Sequence, residues 1–521
     1  MSLDQFLHNL QFDTEKVRPP DWEVDWEDAP LSYKLYRDLP VYPFSSEVPL
    51  TLDTCQSSSR PDFKGIGHFL WYVFGLTQVS QFLNDSEKVE FMQSFRRFAP
   101  SGGALYPNEL YIYLKIEDLP AGVYHYDVAH HRLVLLREGN FDDYLGRALG
   151  NRCDMSASFG TVFVSTMFWK NFYKYHDFSY RLQGLDAGVL IGQLLEVTKR
   201  FGFSTGVAFQ FLDRAINHLI GLSEQEESTY AIIPLYAGPT NECTFGSGPG
   251  QTDTASELCK ELPAISCTHY VRSKKIKEYP MLISINEASM IDSTRSFRKV
   301  MAKEAMKKKG HEIHLPRTER LPYDLADVCR KRFSPEMDFI LGKVSQVHLA
   351  TLLQEATSSY SYTNDLDGEQ EISNDLVTIY ACLHQVEGVL DGAYYYDRSA
   401  HTLCQVGLGD YRVQLQYALS LDNVNLQQVP LCLHVVGNKD YLKSELGYRG
   451  YRIQQMAAGM LVQRLLLVAT ALEMGGHPLL GFDVNVCDDI YSMGSLGITS
   501  LIQIPIGPYR ARPWLKGSLH S

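Results

Sequence analysis

Gly122-Val-Tyr-His-Tyr-Asp127, followed by Val-Ala-His-His-Arg-Leu, has an echo 270 residues later: Gly392-Ala-Tyr-Tyr-Tyr-Asp397, followed by Arg-Ser-Ala-His-Thr-Leu. Each run is rich in aromatic side chains and reads as a strand entering an Asp turn. Further matches follow in order. Tyr180-Arg181 matches Tyr451-Arg452, Ala187-Gly188 matches Ala458-Gly459, Phe211 matches Phe482 and Pro234 matches Pro505, all 271 apart. Near the start of each half, Cys55 and Pro61 sit against Cys329 and Pro335, 274 apart. An ordered series at a nearly constant offset describes two tandem copies of one domain, and the period is far too long for a solenoid. The reading places domains over 1–240 and 276–521, with a linker over 241–275. Thr244-Phe-Gly-Ser-Gly-Pro-Gly-Gln-Thr-Asp-Thr254 in that linker is loop-like and is expected to hold no packed element.

The chain has 521 residues, 45% of them hydrophobic and 21% charged, which excludes a mainly disordered or coiled-coil protein. Its formal charge of −13 argues against nonspecific binding to nucleic acid or to an anionic membrane. Ten scattered cysteines without a C-x-x-C pair read as reduced thiols. The N-terminus lacks the basic-then-apolar order of a signal peptide. The apolar stretch Met460–Leu472 is broken by Gln463 and Arg464 and falls short of the roughly 18 residues a membrane span needs. A cytoplasmic protein with no nucleic-acid or membrane partner is the expectation.

Leu110–Leu114, Thr161–Ser165, Val123–Asp127 and Ala393–Asp397 read as strands. Leu182–Phe201, Ile453–Glu473, Phe69–Gly75 and Leu349–Ala356 carry apolar residues at helical spacing. Strands and helices mix without strict alternation, so the expected class is α+β.

Several strings carry chemistry. Pro100-Ser-Gly-Gly-Ala-Leu-Tyr-Pro107 combines the hydroxyl of Ser101 with Gly102 and Gly103, which let a backbone approach a ligand closely. As bare chemistry it could equally be a tight turn. Neither a G-x-G-x-x-G after a strand nor a P-loop is present. Arg330-Lys331-Arg332 offers three consecutive cations to a phosphate, or a solvated basic face. Lys174-Tyr175 places a cation beside a phenol, which would favour the phenolate a general base needs. Leu480-Gly481-Phe482-Asp483 follows a helix, and Gly507-Pro-Tyr-Arg510-Ala-Arg512 adds two late cations. The histidines show no ligand spacing, and no metal is assigned.

The Pro100–Pro107 string resembles the flavin-contacting turn of the FMN-dependent nitroreductase superfamily, and more narrowly of the SagB/ThcOx-type azoline oxidases. The G-V-Y-H-Y-D strand and Tyr180-Arg181 resemble the same branch. The resemblance implies FMN as cofactor. It implies Ser101, Gly102 and Gly103 at the flavin, Arg330, Lys331 and Arg332 at its phosphate, Gly481 and Phe482 against its ring, and Arg510 and Arg512 as further basic residues. It also implies Lys174 and Tyr175 as the catalytic pair, with Tyr175 the base.

Relatives of this type are homodimers that bind FMN between subunits. Here the two copies have lost complementary parts. Gln56-Ser-Ser-Ser-Arg60 of the first copy aligns with the Arg330 element, and the acidic Ser358–Glu371 region of the second stands where the glycine turn would be. Glu445 and Leu446 replace Lys-Tyr. The expectation is two tandem nitroreductase-like domains forming an intramolecular pseudo-dimer with one flavin site, able to act as a monomer. The implied reaction is oxidation of an azoline to an azole in a small-molecule or modified-peptide substrate, within reach of partners in a biosynthetic complex. The alternatives are an NAD(P)H-dependent nitro or quinone reductase, and a degenerate flavin-binding scaffold subunit.

Overall fold

The structure, a computed structural model, describes residues 1–20, 22–52, 60–84, 90–238, 243–246, 248, 250, 252–300, 310–357, 362–367, 376–511 and 516–518. Two sheets repeat one topology. In the first, the strands run in the spatial order Val41–Pro43, Arg132–Glu138, Gly122–Asp127, Asn108–Leu114, Gly160–Met167, Glu227–Ala237 and Phe203–Val207. The second runs Glu312–His314, Thr402–Leu408, Gly392–Asp397, Val377–Leu383, Leu431–Asn438, Ile498–Gly507 and Gly475–Gly476. Each strand of the second has its counterpart at the same place in the first, as the repeat requires. The class is α+β with two nitroreductase-like halves.

The copies meet through two long helices, α1 (Ser179–Arg200) and α2 (Arg449–Ala471). Both are buried over nearly their whole length, so they form the centre of the molecule and not a surface layer. Backbones touch where they cross. A Cβ on Gly188 would lie 2.0 Å from the carbonyl oxygen of Met456, and one on Gly459 would lie 2.2 Å from that of Leu185. Only glycine allows that approach. Gly188 and Gly459 are themselves equivalent in the repeat. So are Tyr180 and Tyr451, whose rings stack with centroids 5.9 Å apart. Residues shared by the two copies therefore meet each other along the pseudo-two-fold contact. Several buried polar groups on these helices are partnered, although the Gln455 amide and the Tyr451 hydroxyl have no hydrogen-bond partner among the described residues. Arg181 donates to the carbonyls of Leu10 (3.1 Å) and Leu501 (2.6 Å), Gln463 donates to Gln193 (2.7 Å), and Arg464 pairs with Glu196.

Further elements interlock the halves. Thr363–Asn364 of the second copy adds a parallel strand to the first sheet beside Phe203–Val207. Lys516–Ser518 pairs with Gln78–Ser80 of the first copy's hairpin. The N-terminal helix Leu3–Phe12 reaches the second copy, where Gln11 donates to the Ser500 carbonyl at 2.7 Å.

The 241–275 segment departs from a plain linker. It contains a helix, Ala255–Glu261, closed by a Thr254/Glu257 capping box. Ala255 and Leu258 are buried in the first copy's core, and Arg147 ties both ends of the helix down through Asp253 (2.8 Å) and Glu261 (2.9 Å). The loop-like run ahead of it is only the approach to that helix.

Candidate active site

The glycine turn lies between strands Glu90–Arg97 and Asn108–Leu114. Gly103, Ala104 and Tyr106 all have left-handed backbone, with φ of 64°, 55° and 49°. Two of the three are not glycine, so the turn holds conformational strain that its surroundings must offset. The restraint comes largely from one carboxylate. Asp186, on α1, accepts from Ser101 Oγ at 2.5 Å and from the Gly102 amide at 3.1 Å. Ser101 Oγ accepts in turn from the Tyr106 amide at 2.9 Å. The Tyr106 phenol accepts from the Arg97 amide (3.1 Å), and Lys170 donates to the Tyr106 carbonyl (3.3 Å). Burial pushes the Asp186 carboxyl up to about 6, against the two hydrogen bonds that favour its charge.

Lys174 and Tyr175 end the short helix Trp169–Tyr175 and come directly onto this turn. A Cβ on Gly103 would lie 2.5 Å from Tyr175 Oη and 3.0 Å from Lys174 Nζ. Two sequence-predicted strings, seventy residues apart, are thus one place in space. The electrostatics reverse the expected roles. The Tyr175 phenol is pushed above its ordinary range, chiefly by burial and then by the Asp186 charge. Lys174 does not stabilise a phenolate there. Its own pKa is lowered by burial, with its Nζ 5.3 Å from the Trp26 ring centre and 4.9 Å from that of Tyr175. Of the pair, the amine is the one moved toward being a base at neutral pH.

The three cations of Arg330-Lys331-Arg332 part company. Arg330 is exposed and donates to the Leu50 carbonyl at 3.0 Å, and Lys331 is exposed and paired with Asp327 at 2.7 Å. Arg332 is buried. Its Nε and Nη1 have no hydrogen-bond partner among the described residues. Its carbonyl accepts from Arg96 Nη2, so two guanidinium groups share the place. Burial, and then Arg96, hold Arg332 down to about 10. Arg97 is also buried, with Nε and Nη1 unpartnered among the described residues, and its guanidinium stacks on Phe74 (3.8 Å) and Tyr106 (4.7 Å). A buried cationic cluster with spare donors has the donor set an anion requires. The Arg96-Arg97 contribution was absent from the sequence reading, although two cations just ahead of the glycine turn were a visible signal.

The remaining assignments divide. Phe333 stacks on Tyr509 (5.5 Å), which brings Arg510 to the Arg332 element with an exposed side chain. Arg512 lies outside the described residues. Gly481 is exposed, and the preceding Leu480 shares an apolar cluster with Ala99 and Leu182, against which Tyr175 packs. Phe482 does not face this site. Its ring packs in the opposite core, 6.0 Å from His434. It is a core residue.

The symmetry-related position is filled by the protein itself. Phe209 and Gln210 are the counterparts of Leu480 and Gly481. Their amides donate to the buried Asp365 of the second copy at 2.8 and 2.9 Å, and Asp365 pairs with Arg152 at 2.9 Å. Beside them Arg449 grips Asp213 with two contacts, 2.9 and 2.7 Å, and donates to the Phe209 carbonyl. Most of the Ser358–Glu371 region and of Gln56–Arg60 lies outside the described residues. Among the described residues no His, Cys, Asp and Glu are grouped to hold a metal, and no helix is long and apolar enough to cross a membrane.

Residues 76–235, the stretch that carries the glycine turn and the Lys-Tyr pair, match the Nitroreductase family. The first copy thus carries a nitroreductase-family domain, and the chain is a nitroreductase-like oxidoreductase. A protein described as a nitroreductase from Anabaena variabilis has the same fold over 98% of this chain and 99% of its own, at a TM-score of 0.72 and 19% identity. The likeness of fold runs through both halves of this chain. Trifolitoxin-processing protein TfxB of Rhizobium leguminosarum bv. trifolii is 26% identical over 245 residues, 44% of this chain and 66% of that protein, just under two thirds of its length. The Escherichia coli microcin synthetase McbBCD complex, solved with truncated pro-MccB17 bound, matches at 20% identity and a TM-score of 0.27, over 38% of this chain and 68% of that one.

Proposed function

We propose that the chain binds one FMN between its copies and oxidises an azoline ring of a peptide-derived substrate to the azole. The observation that carries this reading is the meeting of Lys174, Tyr175 and the strained Gly102–Gly103 turn of the first copy, with the Arg332 guanidinium of the second, its Nε and Nη1 unpartnered among the described residues, beside Tyr106. Arg332, supported by Arg96 and Arg330, would hold the phosphate, and Ser101–Gly103 would lie along the flavin. A bound flavin supplies a two-electron acceptor for the hydride equivalent released on ring oxidation. The chain supplies the proton chemistry. Lys174, lowered by burial, accepts the ring proton at Nζ, and the un-ionised Tyr175 phenol orients the substrate by donating a hydrogen bond. Asp186 keeps the turn in place. The similarity to a toxin-processing protein supports a peptide-derived substrate.

Purified protein is expected to carry close to one flavin per chain, measured by absorbance after release. A value near two would refute the single site. Lys174→Ala should keep its flavin and lose on the order of 100-fold in turnover, with a smaller loss for Tyr175→Phe. Turnover should rise with pH along a limb set by Lys174, since the deprotonated amine is the acceptor. Rapid anaerobic bleaching by NADPH with no azoline turnover would favour the nitro or quinone reductase, and protein that retains no chromophore would favour the scaffold.

A further inference from the structure

A cavity of about 510 Å³ lies between the first copy and the chain that leaves it, bounded by the sheet end near Met167 and by residues from His269 to Ile283. It shares no lining residue with the Ser101–Gly103 turn, the Lys174-Tyr175 pair or the Arg332 element. Its volume is that of a small-molecule site. Trp169, Tyr33 and Tyr279 give it aromatic walls. The polar tips of two of these rings are turned to other partners, Trp169 Nε1 to Ser273 (2.9 Å) and the Tyr279 hydroxyl to the Gln225 carbonyl (3.0 Å). Their apolar bodies remain for a ligand.

Two ammonium groups line the same space. Lys34 and Lys170 are buried in the protein, yet both line the cavity. Lys34 donates to Glu227 (2.7 Å) and Tyr111 (3.1 Å), and Lys170 donates to Glu109 and to the Tyr106 carbonyl (3.3 Å). An ammonium has three donors, so Lys170 retains one, whereas Lys34 also bonds to Tyr36 and its three are taken. The two carboxylates do not line the cavity, and each is engaged elsewhere as well. Glu227 accepts from Ser165 (2.5 Å) and Tyr111 (3.0 Å), and Glu109 from His125 (2.9 Å). Both cations therefore line the cavity while their counter-charges do not. Arg272 and Lys277 line it too, as do Glu226 and Glu278, so these four charges balance. His269, also in the lining, has a buried Nε2 without a partner among the described residues. The outer rim is apolar, with Tyr270, Val271 and Ile276 exposed.

We propose that this cavity is a second ligand site, for an aromatic monocarboxylate whose carboxylate meets Lys170 and whose ring lies among Trp169, Tyr33 and Tyr279. A carboxylate takes up the spare Lys170 donor, and a planar ring suits walls of this kind. The assignment does not depend on the flavin reading.

Calorimetric titration of the full chain tests it, with benzoate and phenylacetate as probes and benzamide as the uncharged control. Saturable binding of the acids at sub-millimolar concentration is expected, with the amide at least about tenfold weaker. Ile283→Trp, which fills the cavity without touching either ion pair, should weaken the acids by about tenfold or more while leaving the melting temperature and flavin content near those of the parent. Three results would each overturn the proposal: no saturable binding up to about 10 mM, equal affinity for acid and amide, or acid binding unchanged in Ile283→Trp.

Discussion

At Gly103 two independent constraints coincide. Its φ of 64° disfavours any side chain, and its missing Cβ leaves room for Tyr175 Oη at 2.5 Å. Gly103→Ala should cost about 2 kcal/mol in urea unfolding and displace the Lys174-Tyr175 pair, with loss of bound flavin as the readout. Asp186 makes a prediction of opposite character. Its folded pKa of about 6 lies above its ordinary value, so the folded state holds its proton more tightly than the unfolded chain. This group's contribution to stability is present in acid and is lost as pH rises through about 6. Asp186→Asn should flatten that dependence, worth about 2 kcal/mol between pH 4 and pH 6 in thermal melts. It should also weaken the turn, because an amide can accept only one of the two hydrogen bonds now made.

At the scale of elements, the helix crossing decides stability. Gly188→Ala and Gly459→Ala should each cost about 3 kcal/mol or more, since the new Cβ would have to push a neighbouring backbone aside, and the two losses should be similar. Chemical denaturation of both variants checks this. Long periodic elements were legible in advance. Leu182–Phe201 and Ile453–Glu473 become α1 and α2 with shifts of a few residues at their ends, and the strands at Leu110 and Thr161 gain one to three residues. The helix Ala255–Glu261 was not legible. It is seven residues long, buries only Ala255 and Leu258, and follows a glycine-rich approach that dominates the local composition. The site was legible in the same uneven way. Strings that combine glycine with polar residues stood out, whereas Asp186 is one of two acids in a largely apolar helical run and its role exists only because the turn packs on it. Phe482 shows a related limit. Its place in the string was visible, but the side of the sheet its ring takes was not.

For the whole molecule, the asymmetry between the two inter-copy positions is the dominant fact. Asp365, seated on the Phe209 and Gln210 amides and paired with Arg152, is a plug made of buried charge. Asp365→Asn should leave Arg152 without its carboxylate partner and cost about 3 kcal/mol in denaturant melts, yet on the proposed single-site reading flavin content should stay near one per chain. A rise toward two on this single change would mean the plug alone closes that site.

The strands and helix that each half lays across the other have a last consequence. In a homodimer, dilution separates the subunits, and chains from two alleles exchange to give mixed pairs. Here Thr363–Asn364, Lys516–Ser518 and Leu3–Phe12 hold together two halves that are already one covalent chain. Specific activity should stay constant down to nanomolar protein, and an inactive variant mixed with the parent should not poison it. Each half is also free to change on its own, since no substitution is imposed on its partner by symmetry.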